Sequence, residues 1–160
     1  AKRILTVAVE GTDVFVEADN VACVEGALTS SGGFEAGRKA VVSAENARIS
    51  PDEIFAVREA LNGDAWGETG GRHNTVDKAI GYMTLHGLNP AECVIGCTGR
   101  QPVGMVSKAA NAGIPIIVSR AASTSAGIAA AEECGVTLIC FTRDRRFTVY
   151  AHPERIEGLA

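Results

Sequence analysis

The sequence predicts an α/β fold built on a mostly parallel sheet, and three observations carry that prediction. From about residue 74 onward, helix-like and strand-like segments alternate: helix, strand, helix, strand, helix, strand. That order implies parallel strands joined by right-handed crossovers. The strand candidates are apolar throughout, so helices should cover both faces of the sheet. Only five residues, four of them charged, separate the last two strand candidates, which suits an antiparallel edge.

The elements follow in order. Arg3 to Val9 alternates and is β-branched, so it reads as a strand. Val14 to Glu17 follows Gly11-Thr12-Asp13 and suggests a hairpin. Gly32 and Gly33 interrupt Thr29 to Gly37, which reads as a loop. Ser50-Pro51-Asp52-Glu53 is a helix start: Ser50 can cap, Pro51 suits the first position and Glu53 completes a capping box. Ile54, Val57 and Leu61 then share a face, and Gly63 ends the helix. Asn62 to Gly71 is polar and Gly-rich. Asn74 or Thr75 is expected to cap a helix with apolar face Val76, Ala79, Ile80 and Met83, stopping at Gly87. Asp77 in its first turn would complement the helix dipole. Cys93 to Cys97 reads as a short buried strand, and Pro102 opens a helix that ends at Gly113. Pro115 to Ser119 is a strand. Ser123, Thr124 or Ser125 caps an Ala-rich helix ending at Gly135. Val136 to Phe141 and Phe147 to His152 are strands, with Arg143-Asp144-Arg145-Arg146 between them.

The 160 residues fit one domain, and 46% apolar content supports a sizeable core. A net charge of -4 gives no general attraction to nucleic acid or to an anionic membrane. No apolar stretch reads as a membrane span, and the start, AKRILTVAVEG, lacks the pattern of a secretory leader. The five cysteines are Cys23, Cys93, Cys97, Cys134 and Cys140. Their odd number and apolar surroundings read as reduced, buried thiols of a cytoplasmic protein. Cys93 and Cys97, four apart on a strand, would lie roughly 13 Å apart and so share no metal.

In an open α/β sheet, ligands bind beyond the carboxyl ends of the parallel strands. Two such ends are Thr98-Gly99-Arg100-Gln101 and Ser119-Arg120-Ala121-Ala122-Ser123-Thr124-Ser125. Each offers small or hydroxylated residues at a helix start plus one arginine, a setting that favours phosphate. Gly71-Arg72-His73-Asn74 opens a third helix of the same character. The turn Arg143–Arg146 adds arginines able to bind bidentately. Capping residues also belong at helix starts with no ligand at all. Together these features favour a polyanion such as a nucleotide or a pterin phosphate. Walker, G-x-G-x-x-G and G-x-S-x-G motifs are absent. His73, His86 and His152 have no metal-ligand spacing. His86 suits a helix end and His152 closes a strand. His73 either meets a ligand or orders its own loop.

Gly71-Arg72-His73-Asn74-Thr75-Val76-Asp77-Lys78-Ala79-Ile80-Gly81 resembles the GRHN-x-VDK-x-IG signature of the formate dehydrogenase accessory protein family (FdhD). The resemblance continues through Thr98-Gly99-Arg100, through Lys108 to Pro115, and through Phe141-Thr142-Arg143 and Val149 to Ile156, covering about residues 71 to 156. It implies a three-layer α/β/α sandwich with a mostly parallel mixed sheet, similar to cytidine deaminases, although the zinc signature of those enzymes is missing here. It implies a cytoplasmic, dimeric sulfur carrier with no protein-ligated metal. Such a carrier takes persulfide sulfur from a cysteine desulfurase and passes it to the molybdenum bis(molybdopterin guanine dinucleotide) cofactor for formate dehydrogenase. By resemblance the segment Phe141, Thr142, Arg143, Asp144, Arg145 and Arg146 holds that cofactor or a guanine nucleotide. Arg72, His73, Asn74, Thr98, Gly99 and Arg100 are expected to join it.

The pattern departs from the family in two places. The family's C-x-x-C loop is expected near Ser30, Ser31, Gly32 and Gly33, which hold no cysteine. A persulfide needs a thiolate, and serine cannot supply one. Glu68-Thr69-Gly70-Gly71 also runs directly into Arg72 where the family has an intervening stretch. The family's N-terminal region has no counterpart, so the expectation is a chain that lacks segments of a longer protein. Two other readings stand beside the sulfur carrier. One is a non-catalytic module that binds a guanine nucleotide or the cofactor, and the other is a structural subunit for partner recognition.

Overall fold

The computed structural model describes residues 41–42, 46–61 and 72–159. The expected strand Arg3–Val9, the hairpin strand Val14–Glu17, the loop with Ser30, Ser31, Gly32 and Gly33, the stretch Asn62–Gly71 and Cys23 lie outside the described residues.

The first helix, α1 (Pro51–Ala60), begins where local chemistry dictates. The Ser50 side chain accepts from the Glu53 backbone N–H at 3.2 Å, and the Glu53 carboxylate accepts from the Ser50 backbone N–H at 2.7 Å. These bonds satisfy helix-start donors that would otherwise lack partners. They also hold the Glu53 carboxyl below its ordinary range, the Ser50 backbone bond being the largest cause.

Helix α2 (Arg72–Leu85) starts two to three residues before the expected cap. Asn74 and Thr75 therefore lie inside its first turn and do not cap it. Asp77 falls in the second turn, so its role is not the dipole. Its carboxylate instead meets Lys108. Val76 and Met83 are buried as expected, whereas Ala79 faces solvent. Gly87, at φ +63°, stands two residues beyond the helix end. A turn at Pro90–Glu92 then leads into the sheet.

The remaining elements alternate. They are β1 (Val94–Cys97), α3 (Val103–Asn111), β2 (Ile116–Ser119), α4 (Ser125–Cys134), β3 (Thr137–Arg143) and β4 (Arg146–Ala151). Thr124 caps α4 by accepting from the Gly127 N–H, and Gly135 ends it in the left-handed conformation.

The sheet order is β1-β2-β3-β4, with the first two pairings parallel and the last antiparallel. Two successive crossovers of one hand in one direction place α3 and α4 on the same face. That face buries Val106, Ala109, Ala130, Ala131, Leu138 and Cys140. Helix α1 covers the other face, where Ile54 packs with Ile116, Val118 and Ile139. The result is the expected three-layer α/β/α arrangement with a mixed sheet. Helix α2 packs against α3, outside the sheet.

The turn between β3 and β4 is tighter than expected. Arg143 and Arg146 pair across the two strands, so only Asp144 and Arg145 form the turn. Asp144 takes φ +50°, which such a two-residue turn requires.

Candidate functional site at the strand ends

The carboxyl ends of β1, β2 and β3 lie side by side, and their following segments continue the pairing past the strands. After β1, the Gln101 N–H donates to the Ala122 carbonyl at 3.0 Å, and the Gln101 carbonyl accepts from the Ser123 hydroxyl at 2.7 Å. After β2, the Ala121 carbonyl accepts from the Phe141 N–H at 3.1 Å. The loops beginning at Thr98 and Ser119 and the segment beginning at Phe141 are thus brought together.

Gly127 makes this closeness possible. A Cβ placed on it would stand 2.2 Å from the Gln101 carbonyl oxygen. Only a residue without that atom lets the start of α4 approach the loop after β1 so closely.

Within the cluster, Ser119 donates to the Gly99 carbonyl at 2.8 Å and accepts from the Ala121 N–H at 3.1 Å. The Gln101 amide donates to the same Gly99 carbonyl at 2.7 Å, while its own oxygen, fully buried, has no partner. Thr98 and Arg100 are exposed, and Gly99 is half-buried.

The end of β3 departs most from regular structure. Cys140 pairs with Thr148 and Arg143 with Arg146, so Phe141 and Thr142 together oppose the single residue Phe147. This is a β-bulge, a device that re-aims side chains and concentrates near ligand sites. Phe141 takes φ +51°, costly for a large side chain, and stays 40% exposed. Thr142 is fully buried, and its hydroxyl has no hydrogen-bond partner. A buried hydroxyl without a partner is itself destabilising. Arg143, Asp144, Arg145 and Arg146 project from the hairpin into solvent, and the Arg145 guanidinium lies over the Phe55 ring.

The third expected segment stands apart in the chain. Arg72 and His73 open α2, and their side chains lie outside the described residues. Asn74 is exposed on α2. Gln101 and Ser119 belong to the strand-end segments that the sequence pointed to, whereas the bulge is a feature that sequence reasoning did not single out. Gln101 carried one signal, a long amide next to a predicted strand end.

Among the described residues, the cysteines form no reactive group. Burial pushes the Cys97 thiol up to about 11 and the Cys140 thiol up to about 12. Burial also raises Cys93, with Glu92 adding to it. All three stay protonated near neutral pH and so are poor nucleophiles. Cys134 is buried in the core. Among the described residues, no three of His, Cys, Asp and Glu gather into a set that could hold a metal ion. No described helix is long and apolar enough to cross a membrane. His152, in the left-handed region at φ +51°, is committed to structure: its ring bridges the Glu154 carboxylate at 2.9 Å and the Glu132 carbonyl at 3.0 Å. His86 meets the Tyr82 carbonyl at 2.8 Å at the end of α2.

Fold and site together define an α/β domain whose parallel strand ends, bulge and arginine hairpin gather at the carboxyl end of the sheet. The particular family follows from comparison with known proteins. The pattern of the FdhD/NarQ family matches residues 67–157, and the chain belongs to that family. The sulfur carrier protein FdhD of Thermoplasma acidophilum is 36% identical over 146 residues, covering 91% of this chain and 48% of that protein. The sulfur carrier protein FdhD of Methanothermobacter thermautotrophicus is 38% identical over 130 residues, covering 68% of this chain and 52% of that protein. A crystal structure described as a formate dehydrogenase accessory protein from Desulfotalea psychrophila superposes with a TM-score of 0.59 at 31% identity. It covers 74% of this chain and 59% of that one. The chain thus spans about half the length of these curated relatives.

Proposed function

We propose that this chain is the cofactor-binding part of a cytoplasmic, dimeric sulfur carrier. In this reading, persulfide sulfur passes from a cysteine desulfurase to the molybdenum bis(molybdopterin guanine dinucleotide) cofactor destined for formate dehydrogenase. The cofactor is the substrate here. Phe141 to Arg146 hold one of its guanine nucleotide ends, and Thr98, Gly99 and Arg100 flank it from the neighbouring strand end. Arg72, His73 and Asn74 approach from the start of α2.

One observation carries the reading: the bulge leaves the Thr142 hydroxyl buried and unpaired directly before the arginine hairpin. A phosphate or base edge at that place would supply the missing partner, while Arg143 and Arg146 would meet phosphate oxygens bidentately. The family membership and the names of the relatives support sulfur carriage as the wider activity.

The test is a calorimetric titration with GDP. Binding that weakens with salt is expected, and Arg146→Ala should lower affinity about tenfold through loss of charge-assisted hydrogen bonds. Absence of GDP binding would sink the proposal.

A second reading is favoured by the thiols. The four described cysteines, Cys93, Cys97, Cys134 and Cys140, contain no C-x-x-C pair, and burial raises three of them. On that reading the chain binds the cofactor or a guanine nucleotide without carrying sulfur. Incubation with a desulfurase and cysteine, followed by intact-mass measurement, separates the two: a gain of one sulfur atom supports the carrier and no gain supports the module.

A further inference from the structure

Helix α1 reaches the arginine hairpin through one aromatic side chain. The Arg145 guanidinium carbon stands 5.9 Å from the centre of the Phe55 ring. The same ring meets Phe147 at 5.7 Å between centroids, tilted by 56°. Phe147 is the β4 residue opposite the Phe141–Thr142 bulge. One ring on α1 therefore touches both the turn arginine and the strand residue that backs the bulge.

The core does not require this contact. Helix α1 is anchored by the neighbouring Ile54, which is fully buried between Ile116, Val118 and Ile139. Phe55 is half-buried, and Arg145 is exposed at the tip of a two-residue turn. An arginine in that place would otherwise sample many rotamers, and immobilising it on binding a ligand costs affinity. A ring beneath the guanidinium restricts those rotamers beforehand, while an exposed arginine keeps N–H groups for an anion.

We propose that Phe55 is a positioning residue for the nucleotide site, acting through Arg145 and not on the ligand itself. The inference rests on the reading of the hairpin as the nucleotide site.

The experiment uses the whole 160-residue chain and GDP as the probe. Affinity and melting temperature are measured for the parent, Phe55→Leu, Phe55→Trp, Arg145→Ala and the double variant Phe55→Leu/Arg145→Ala. Phe55→Leu keeps apolar contact with Phe147 but removes the π face. It should weaken GDP about two- to fivefold, the scale of an exposed cation–π contact. Phe55→Trp should restore parental affinity, and in the Arg145→Ala background Phe55→Leu should have no further effect. Parental affinity in Phe55→Leu overturns the inference. So does equal weakening in both backgrounds, which would mean a purely structural ring. If the parent itself binds no GDP, the hairpin reading fails and takes this inference with it, an outcome distinct from either of the others.

Discussion

The Lys108 ammonium sits 2.5 Å from an Asp77 carboxylate oxygen, joining α3 to α2. The lysine side chain is 5% exposed and the aspartate 46%. An ammonium so nearly buried depends on a paired anion. Asp77→Asn is therefore expected to lower stability by about 1–2 kcal/mol, less than for a fully buried pair because Asp77 is half in water. Thermal unfolding checks this. An unchanged melting temperature would show that the pair contributes nothing net.

Gly127 and Gly81 should respond to alanine in opposite directions. At Gly127 the new methyl would collide with the Gln101 carbonyl oxygen, a backbone atom that cannot swing aside. A loss of roughly 1–3 kcal/mol is expected. At Gly81, inside α2, nothing lies within 4 Å of the new atom. Alanine there should stabilise by about 0.5–1 kcal/mol through helix propensity. Urea unfolding of both variants tests the contrast, and a stable Gly127→Ala would mean that the strand-end segments are not tightly joined.

Thr142→Val separates folding from binding. Replacing the unpartnered hydroxyl by a methyl of similar size should stabilise the ligand-free chain by about 1 kcal/mol or more. The same change should weaken GDP, because the hydroxyl's missing partner is proposed to come from the ligand. Lower stability with unaltered GDP affinity would contradict both halves.

The buried thiols give a pH dependence. Cys97 and Cys140 have folded values raised from 9.0 to about 11 and about 12. A raised folded value means that the stabilisation is fully present below pH 9 and is lost as pH rises from there through the folded values. Alkaline unfolding should therefore steepen between pH 9 and 12, and Cys140→Ala should flatten that limb. Near pH 8 both thiols should resist alkylation until the chain is unfolded, as peptide mass mapping would reveal.

Features set by neighbours in the chain were legible in the sequence. The Ser50–Glu53 capping box, the Thr124 cap and the Gly135 end each depend on residues within one helical turn, and each stands where expected. The parallel order was legible because apolar strands between capped helices leave little alternative. The start of α2 was misplaced because Asn74 and Thr75 look like caps, although the helix begins upstream at Arg72. The bulge was not legible at all: φ +51° at Phe141 runs against the preference of a bulky residue and is imposed by the paired strand. Phe55 over Arg145 joins positions ninety residues apart, beyond any periodicity.

The single extra residue in β3 also changes arithmetic along the strand. Alternation has period two, so Arg143, three positions after Cys140, would ordinarily point to the opposite side of the sheet. Cys140 pairs with Thr148 and Arg143 with Arg146, and Thr148 and Arg146 are two apart. Arg143 and Arg146 therefore share the side of Cys140, away from α1, because one odd count has been absorbed. Deleting Phe141 would keep that parity while erasing the kink. The sidedness of the two arginines is thus independent of the kink, which the extra residue adds on its own.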